Sequence, residues 1–238
     1  MLVPLKKKIT LILLNILLLV VSLVMIGKTL SHQLGCDGQL MNNLITLTPD
    51  QQIMGDRMVG QSFIAPRNQL NRIDIFFLTY QRRNTPDVSL RLLEITPELT
   101  NPLHGVEVYQ TTFKASTLQD QGWRTFTFSP LAISLGRTYL IVLQSPTATD
   151  GNAITVGGIQ QDVYPQGSAF LGPTPLQADI AFRSCYQMTL NEKVQTLAQR
   201  LTENRPGPWQ YFNFYLLMLA SYLLLLSALL WQLVKLIP

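Results

Sequence analysis

The chain has 238 residues, with 18 Lys and Arg against 14 Asp and Glu, for a formal net charge of +4. Lys6, Lys7, Lys8 and Lys235 account for that whole excess, so the stretch between them is neutral and the basic balance does not mark a nucleic-acid binder. Two histidines without a second ligand at short spacing leave no zinc motif.

Residues 1–8 form a basic tail, followed by "ITLILLNILLLVVSLVMIG" over 9–27, which carries no charge. About 20 apolar residues at 1.5 Å per residue cross a hydrocarbon core roughly 30 Å thick, so this run predicts transmembrane helix one. A cleaved signal peptide would need a shorter apolar region and a small-x-small site, and neither is present. "LGC" at 34–36 lies too far beyond the run, with Gln33 where an aliphatic residue belongs, for lipoprotein cleavage. Residues 28–59 read as an exported linker.

From Gly60 a period of two sets in. Strands are expected at 60–64, 70–80, 87–95, 105–114, 123–129, 137–144, 153–159 and 178–187, separated by Pro, Gly, Asn and Asp turns. That spacing predicts an all-β jelly-roll sandwich of about eight strands over 60–187. In its "GWRTFTFSPLAISLGRTYLIVLQSP" stretch, Phe126 and Phe128 are expected to share a buried face with Tyr139, Ile141 and Leu143 across a hairpin.

A juxtamembrane amphipathic helix follows at 189–205. "TLNE" offers a capping box, and Leu190, Val194, Leu197, Ala198 and Leu201 fall on one face. Transmembrane helix two is expected at 210–234, ahead of a short tail at 235–238, and residues 211–234 are again uncharged. The positive-inside rule puts both tails in the cytoplasm and the sandwich outside it. There Cys36 and Cys185 can form a disulfide, worth roughly 4–5 kcal/mol in the chain-entropy account; two free buried thiols are the alternative.

"GQSFIAP", "LNRIDIFFLTYQRRNTPDVSLRLLEI", the Gly122–Pro146 stretch and "AITVGG" together resemble a jelly-roll module of bacterial surface and membrane-bound proteins, similar to galactose-binding-like and carbohydrate-binding domains. The resemblance covers about residues 58–187. It implies recognition of sugar or protein at an exported surface; the expected location is a bacterial inner (cytoplasmic or internal) membrane. Fold alone does not carry activity.

Chemistry-bearing residues are sparse. There is no G-x-S-x-G elbow and no glycine-rich phosphate loop; His104 reads as a solvated turn residue, and no calcium-loop spacing occurs. Asp74 and Glu94 read as partners of Arg72 or Arg91 across strands. For a sugar the usual needs are an aromatic plate and fixed polar groups. Candidates are Tyr80, Trp123 and Tyr164, with Arg82, Arg83, Asn84, Asp150 and Asn152 on loops. Trp123 and Tyr80, each at a strand end, read first as core or rim residues of the sandwich. In the spans, Asn15 and Ser227 lie at matching depth and are expected to meet as an interhelical polar contact.

The leading expectation is a non-catalytic accessory subunit that braces a larger membrane complex, without cofactor or metal. The partners expected are the lipid bilayer and other membrane-protein subunits. The alternative is a membrane-anchored module for glycans or other surface ligands; a glycan hydrolase comes third.

Overall fold

The computed structural model of the chain describes residues 34–37, 45–46, 52–96, 99 and 101–236, with eight further positions between 13 and 28. It divides into two units, Met1–Gly35 with Met188–Pro238, and Cys36–Gln187.

The second unit is a β-sandwich of two sheets in which every strand pairing is antiparallel. Its strands are β1 (Cys36–Asp37), β2 (Ile45–Thr46), β3 (Val59–Ile64), β4 (Leu70–Leu78), β5 (Asp87–Ile95), β6 (Val106–Lys114), β7 (Gly122–Leu131) and β8 (Thr138–Gln144). Then come β9 (Thr155–Ile159), β10 (Ala169–Leu171), β11 (Thr174–Leu176), β12 (Asp179–Ile180) and β13 (Phe182–Tyr186). One sheet has seven strands centred on β4, with β7 on one side and β13 on the other. Beyond β13 lies β1, while β9 takes up the end of β4 and carries β2 and β12. The other has six, in the order β11-β10-β3-β8-β5-β6.

Alternation builds the core. Ile73, Ile75 and Phe77 of β4 and Tyr139, Ile141 and Leu143 of β8 point between the sheets, with Phe63, Leu90, Leu92 and Phe126. The other face of β8 is also covered: Leu140, Val142 and Leu93 form a separate cluster packed by Met58, Ile95, Leu103 and Phe170. Burial pushes the Tyr139 hydroxyl up to about 12; the nearby charge of Glu94 adds to this and that of Arg137 opposes it.

Three sequence expectations need correction. First, β7 and β8 do not form a hairpin. β7 pairs with β4 and β8 with β3 and β5, so Phe126 shares the core with Tyr139, Ile141 and Leu143 from the opposite sheet, not along one sheet. The 132–137 connection crosses between sheets and is pinned at Ser134. That residue donates to the Arg67 carbonyl (2.8 Å) and accepts from the Leu70 N–H (3.2 Å). Second, the strand expected at 178–187 breaks at Ala181, because β12 pairs with β9 and β13 with β4. Third, β1 and β2 fall in the stretch read as a linker, and β10–β11 is a further hairpin closed at Gly172, whose φ is +59°.

Asp74 pairs with Arg72 (3.2 Å), but within β4 and not across strands as expected; across the strands it accepts from Thr125 Oγ1 of β7 (2.8 Å). Glu94 takes Arg137 (2.6 Å) instead of Arg91. Cys36 and Cys185 are direct cross-strand partners of β1 and β13 and are joined by a disulfide.

Strand directions give the sandwich two ends. At one end lie Cys36 and Gln187, where the chain enters and leaves this unit, with the 65–69, 96–105 and 132–137 connections. This is the exit end. At the far end lie the 79–86, 115–121 and 145–154 connections.

In the first unit, α1 (Leu190–Thr202) starts with the expected capping box: Thr189 accepts from the Glu192 N–H, and Glu192 accepts from the Thr189 N–H (2.6 Å). A turn over Gly207–Gln210 leads to α2 (Phe212–Leu236). Tyr215 of α2 donates to the Leu201 carbonyl at the end of α1 (2.8 Å). Among the described residues no helix is long and apolar enough to cross a membrane. Most of 9–27 lies outside the described residues, and the described side chains of α2 run unbroken only over 212–225. The two expected spans therefore do not follow from the described residues.

Candidate functional site

Immediately after β4 the chain takes a strained course. Tyr80 and Gln81 both have left-handed backbones, at φ 58° and 56°. For residues with a Cβ this costs roughly 1–2 kcal/mol each. Asp120, from the 115–121 connection, offsets the cost. Its Oδ1 accepts from the Thr79 N–H (2.6 Å) and the Thr79 hydroxyl (3.0 Å), and the nearby backbone N–H groups of Gln81 and Tyr80 also favour its charged form. Successive N–H groups in such turns form an anion-binding nest, and here the chain's own carboxylate fills it. Desolvation alone would raise the Asp120 pKa. The hydrogen bonds together outweigh it and hold the carboxyl below its ordinary value.

The neighbouring loops are locked to this turn. Asn84, 1% exposed, donates from Nδ2 to the Thr79 carbonyl (3.0 Å). The Arg82 guanidinium lies over the Tyr80 ring, 4.8 Å from its centroid, and donates to the Ala153 carbonyl (3.4 Å). Asn152 accepts from the Thr85 N–H (2.9 Å) and donates to the Thr85 hydroxyl (3.0 Å). Three buried polar atoms of this cluster have no hydrogen-bond partner within the chain: Tyr80 Oη, Arg82 Nε and Asn84 Oδ1. Such atoms are rare in folded proteins, and here they are enclosed between the loops.

Leu78, Tyr80, Gln81, Asp120 and Gln121 line an open cleft of about 250 Å³ here. Trp123 stands beside it by register, opposite Phe76 and therefore two residues along β4 from Leu78. Its ring meets Phe76 edge-on at 5.4 Å and carries the Arg183 guanidinium 4.0 Å from its centroid.

The far end thus gathers Tyr80, Arg82, Asn84 and Asn152, with Trp123 on the adjoining sheet face. Arg83 and Asp150 are exposed, and the Asp150 side chain accepts from the Gly151 N–H (2.9 Å). Asn84 and Arg82 are not the solvated loop residues that the sequence suggested; one is buried and the other half-buried. Tyr164 packs on Phe182 at 5.8 Å as part of the core margin. Asn15 lies outside the described residues, as does the side chain of Ser227. Sequence reading missed Asp120 and Gln121, which sit in a "QDQG" turn. The available signal was a carboxylate between two turn residues, with Gln121 at φ 52°.

Two other polar clusters are structural. Buried Asp179 accepts from the N–H groups of Val163 and Tyr164 (both 2.8 Å) and from Gln61 Nε2 (2.9 Å), which braces the 160–168 segment. Cys36, Asp74 and Cys185 come together, but the sulfurs are bonded to each other, so no thiolate is present to hold a metal.

No family model matches the chain, and no curated protein matches it. Among solved structures, the chain is similar to one described as the cysteine protease and lectin-like domains of Cwp84, a surface layer associated protein of Clostridium difficile. Identity is 7% and the TM-score is 0.39, over 56% of this chain and 32% of that one.

Proposed function

We propose that the chain is a membrane-anchored, non-catalytic binding module whose far-end loops take a glycan or a comparably polar surface ligand outside the cytoplasm. The observation that carries this reading is the far-end cleft. It is lined by Leu78, Tyr80, Gln81, Asp120 and Gln121, which sets the Tyr80 side chain beside the amide groups of Gln81 and Gln121, with Trp123 nearby on the sheet by register. Aromatic surface for a sugar ring and a few fixed polar groups for its hydroxyls are the usual elements of such a site. A hydrolytic role is disfavoured by Asp120, the carboxylate lining the cleft, because it is committed to holding the turn.

Anchoring is supported by the two uncharged runs at 9–27 and 211–234. Helix α2 is 25 residues long, about 37 Å at helical rise. With Lys6, Lys7, Lys8 and Lys235 outside the runs, both tails belong in the cytoplasm of a bacterial cell and the sandwich beyond its inner membrane.

The test is a glycan array probed with the full chain in mild detergent. Binding to a defined glycan class that falls at least tenfold, about 1.4 kcal/mol, in Tyr80→Ala supports the reading. No glycan bound, with co-purification of a fixed set of membrane subunits, would favour the bracing role instead.

A further inference from the structure

The exit end shows a different surface. Among the described residues of 36–187, the large apolar side chains most open to solvent are Val106 (71%), Ile133 (68%), Leu135 (58%) and Trp123 (36%). Three of these four belong to the exit end: Val106 begins β6, and Ile133 and Leu135 sit in the connection from β7 to β8.

That connection is held rigidly. Asn68 Oδ1 accepts from the N–H groups of both Ser134 (3.1 Å) and Leu135 (3.0 Å). The Gly136 N–H donates to the Ala65 carbonyl (2.8 Å), and the Ala65 N–H donates to that of Arg137 (3.0 Å). Buried Ser134 faces inward while Ile133 and Leu135, on either side of it, are turned out. A loop this well bonded does not expose two branched apolar side chains through disorder. Its fold presents them.

The chain itself brings this end close to lipid. Nine residue steps separate Gly27, the last residue of the first uncharged run, from Cys36 at the exit end. They span at most about 31 Å fully extended and about 14 Å as helix. Cys36 is bonded to Cys185, so this short leash acts at the root of both chain exits.

We infer that the exit end rests on the outer leaflet of the bilayer, with Ile133 and Leu135 entering the interfacial layer as a fixed apolar tip. This rests on the anchoring proposed above. The occupant is lipid, because the same end holds both chain exits and the leash is short. The arginines of these connections, Arg67 and Arg137, pair with Asp37 (3.0 Å) and Glu94 (2.6 Å), which lowers the charge penalty for nearing lipid.

The experiment places an environment-sensitive dye on Ile133→Cys, on Leu224→Cys in α2, and on Asp150→Cys at the far end. The full chain is reconstituted in phosphatidylcholine vesicles carrying a nitroxide on the acyl chain. Dye at positions 133 and 224 should be blue-shifted and quenched by the nitroxide, and dye at 150 should be neither. Quenching at 224 without quenching at 133 overturns the inference and leaves the anchoring intact. It does so equally if the dye at 133 is shielded from aqueous iodide, since a protein partner then covers the tip. No quenching at 224 overturns the anchoring, and the inference with it.

Discussion

The two ends of the sandwich are built from the same kind of material, short loops between antiparallel strands, yet they offer opposite surfaces. The far end spends its hydrogen bonds on forcing Tyr80 and Gln81 into left-handed backbone and leaves polar atoms uncommitted. The exit end spends them on presenting Ile133 and Leu135. Gln69, at φ 66°, puts a left-handed residue at the exit end as well, so backbone strain does not separate the two ends; the exposed branched side chains do. The chain exits decide which end is which.

The largest expected effect falls on the exit end. Replacing Cys36 and Cys185 together by Ser releases a loop with a sequence separation of 149 and should lower stability by roughly 4–5 kcal/mol. Hydrogen exchange should then speed up first in β1 and β13. Equal acceleration in the 79–86 loop would show that the two ends are not separable. Next comes the core between them. Phe126→Ala should cost about 3–5 kcal/mol in denaturant unfolding and loosen both ends together, since Phe126 touches Phe77 and Phe113 at 6.3 and 5.4 Å.

Asp120→Asn should act on the far end alone, costing about 0.5–1.5 kcal/mol, the difference between a charge-assisted and a neutral hydrogen bond. Its folded pKa lies below the unfolded value. Its contribution is therefore complete above the unfolded pKa and is lost as pH falls through the folded one. The wild type should lose far-end protection in acid over that window, and the variant should lack this step. Smallest of all, Arg83→Ala should change stability by less than about 0.5 kcal/mol, because the side chain is exposed. Arg82→Ala should exceed it measurably, because Arg82 stacks on Tyr80 and reaches the Ala153 carbonyl.

The long strands were legible because nine-residue alternation, as in β5, encodes both a period and a face. The partners of those strands were not. Nothing in "SPLAISLGR" distinguishes a turn that returns along one sheet from one that crosses to the other; the choice is made by Ser134 and Asn68, which are 66 residues apart. Strands of two residues such as β1 have no period to read and exist through their partner, here through Cys185. At the candidate site, loop position revealed Tyr80, Arg82 and Asn152. Composition alone could not show that Asn84 would be buried, or that Asp120 would reach across from another loop to hold the turn.

The cross-strand disulfide has a mechanical consequence. Any tension between the segment before Cys36 and the segment after Cys185 enters and leaves the sandwich at two residues already joined by a covalent bond. That bond shares the load with the sheet, because Tyr186 still pairs with Leu70 and the Gln187 N–H still donates to the Gln69 carbonyl beyond Cys185. A pull from either flanking segment is therefore resisted first at the exit end, before it reaches the strands that carry the far-end cleft.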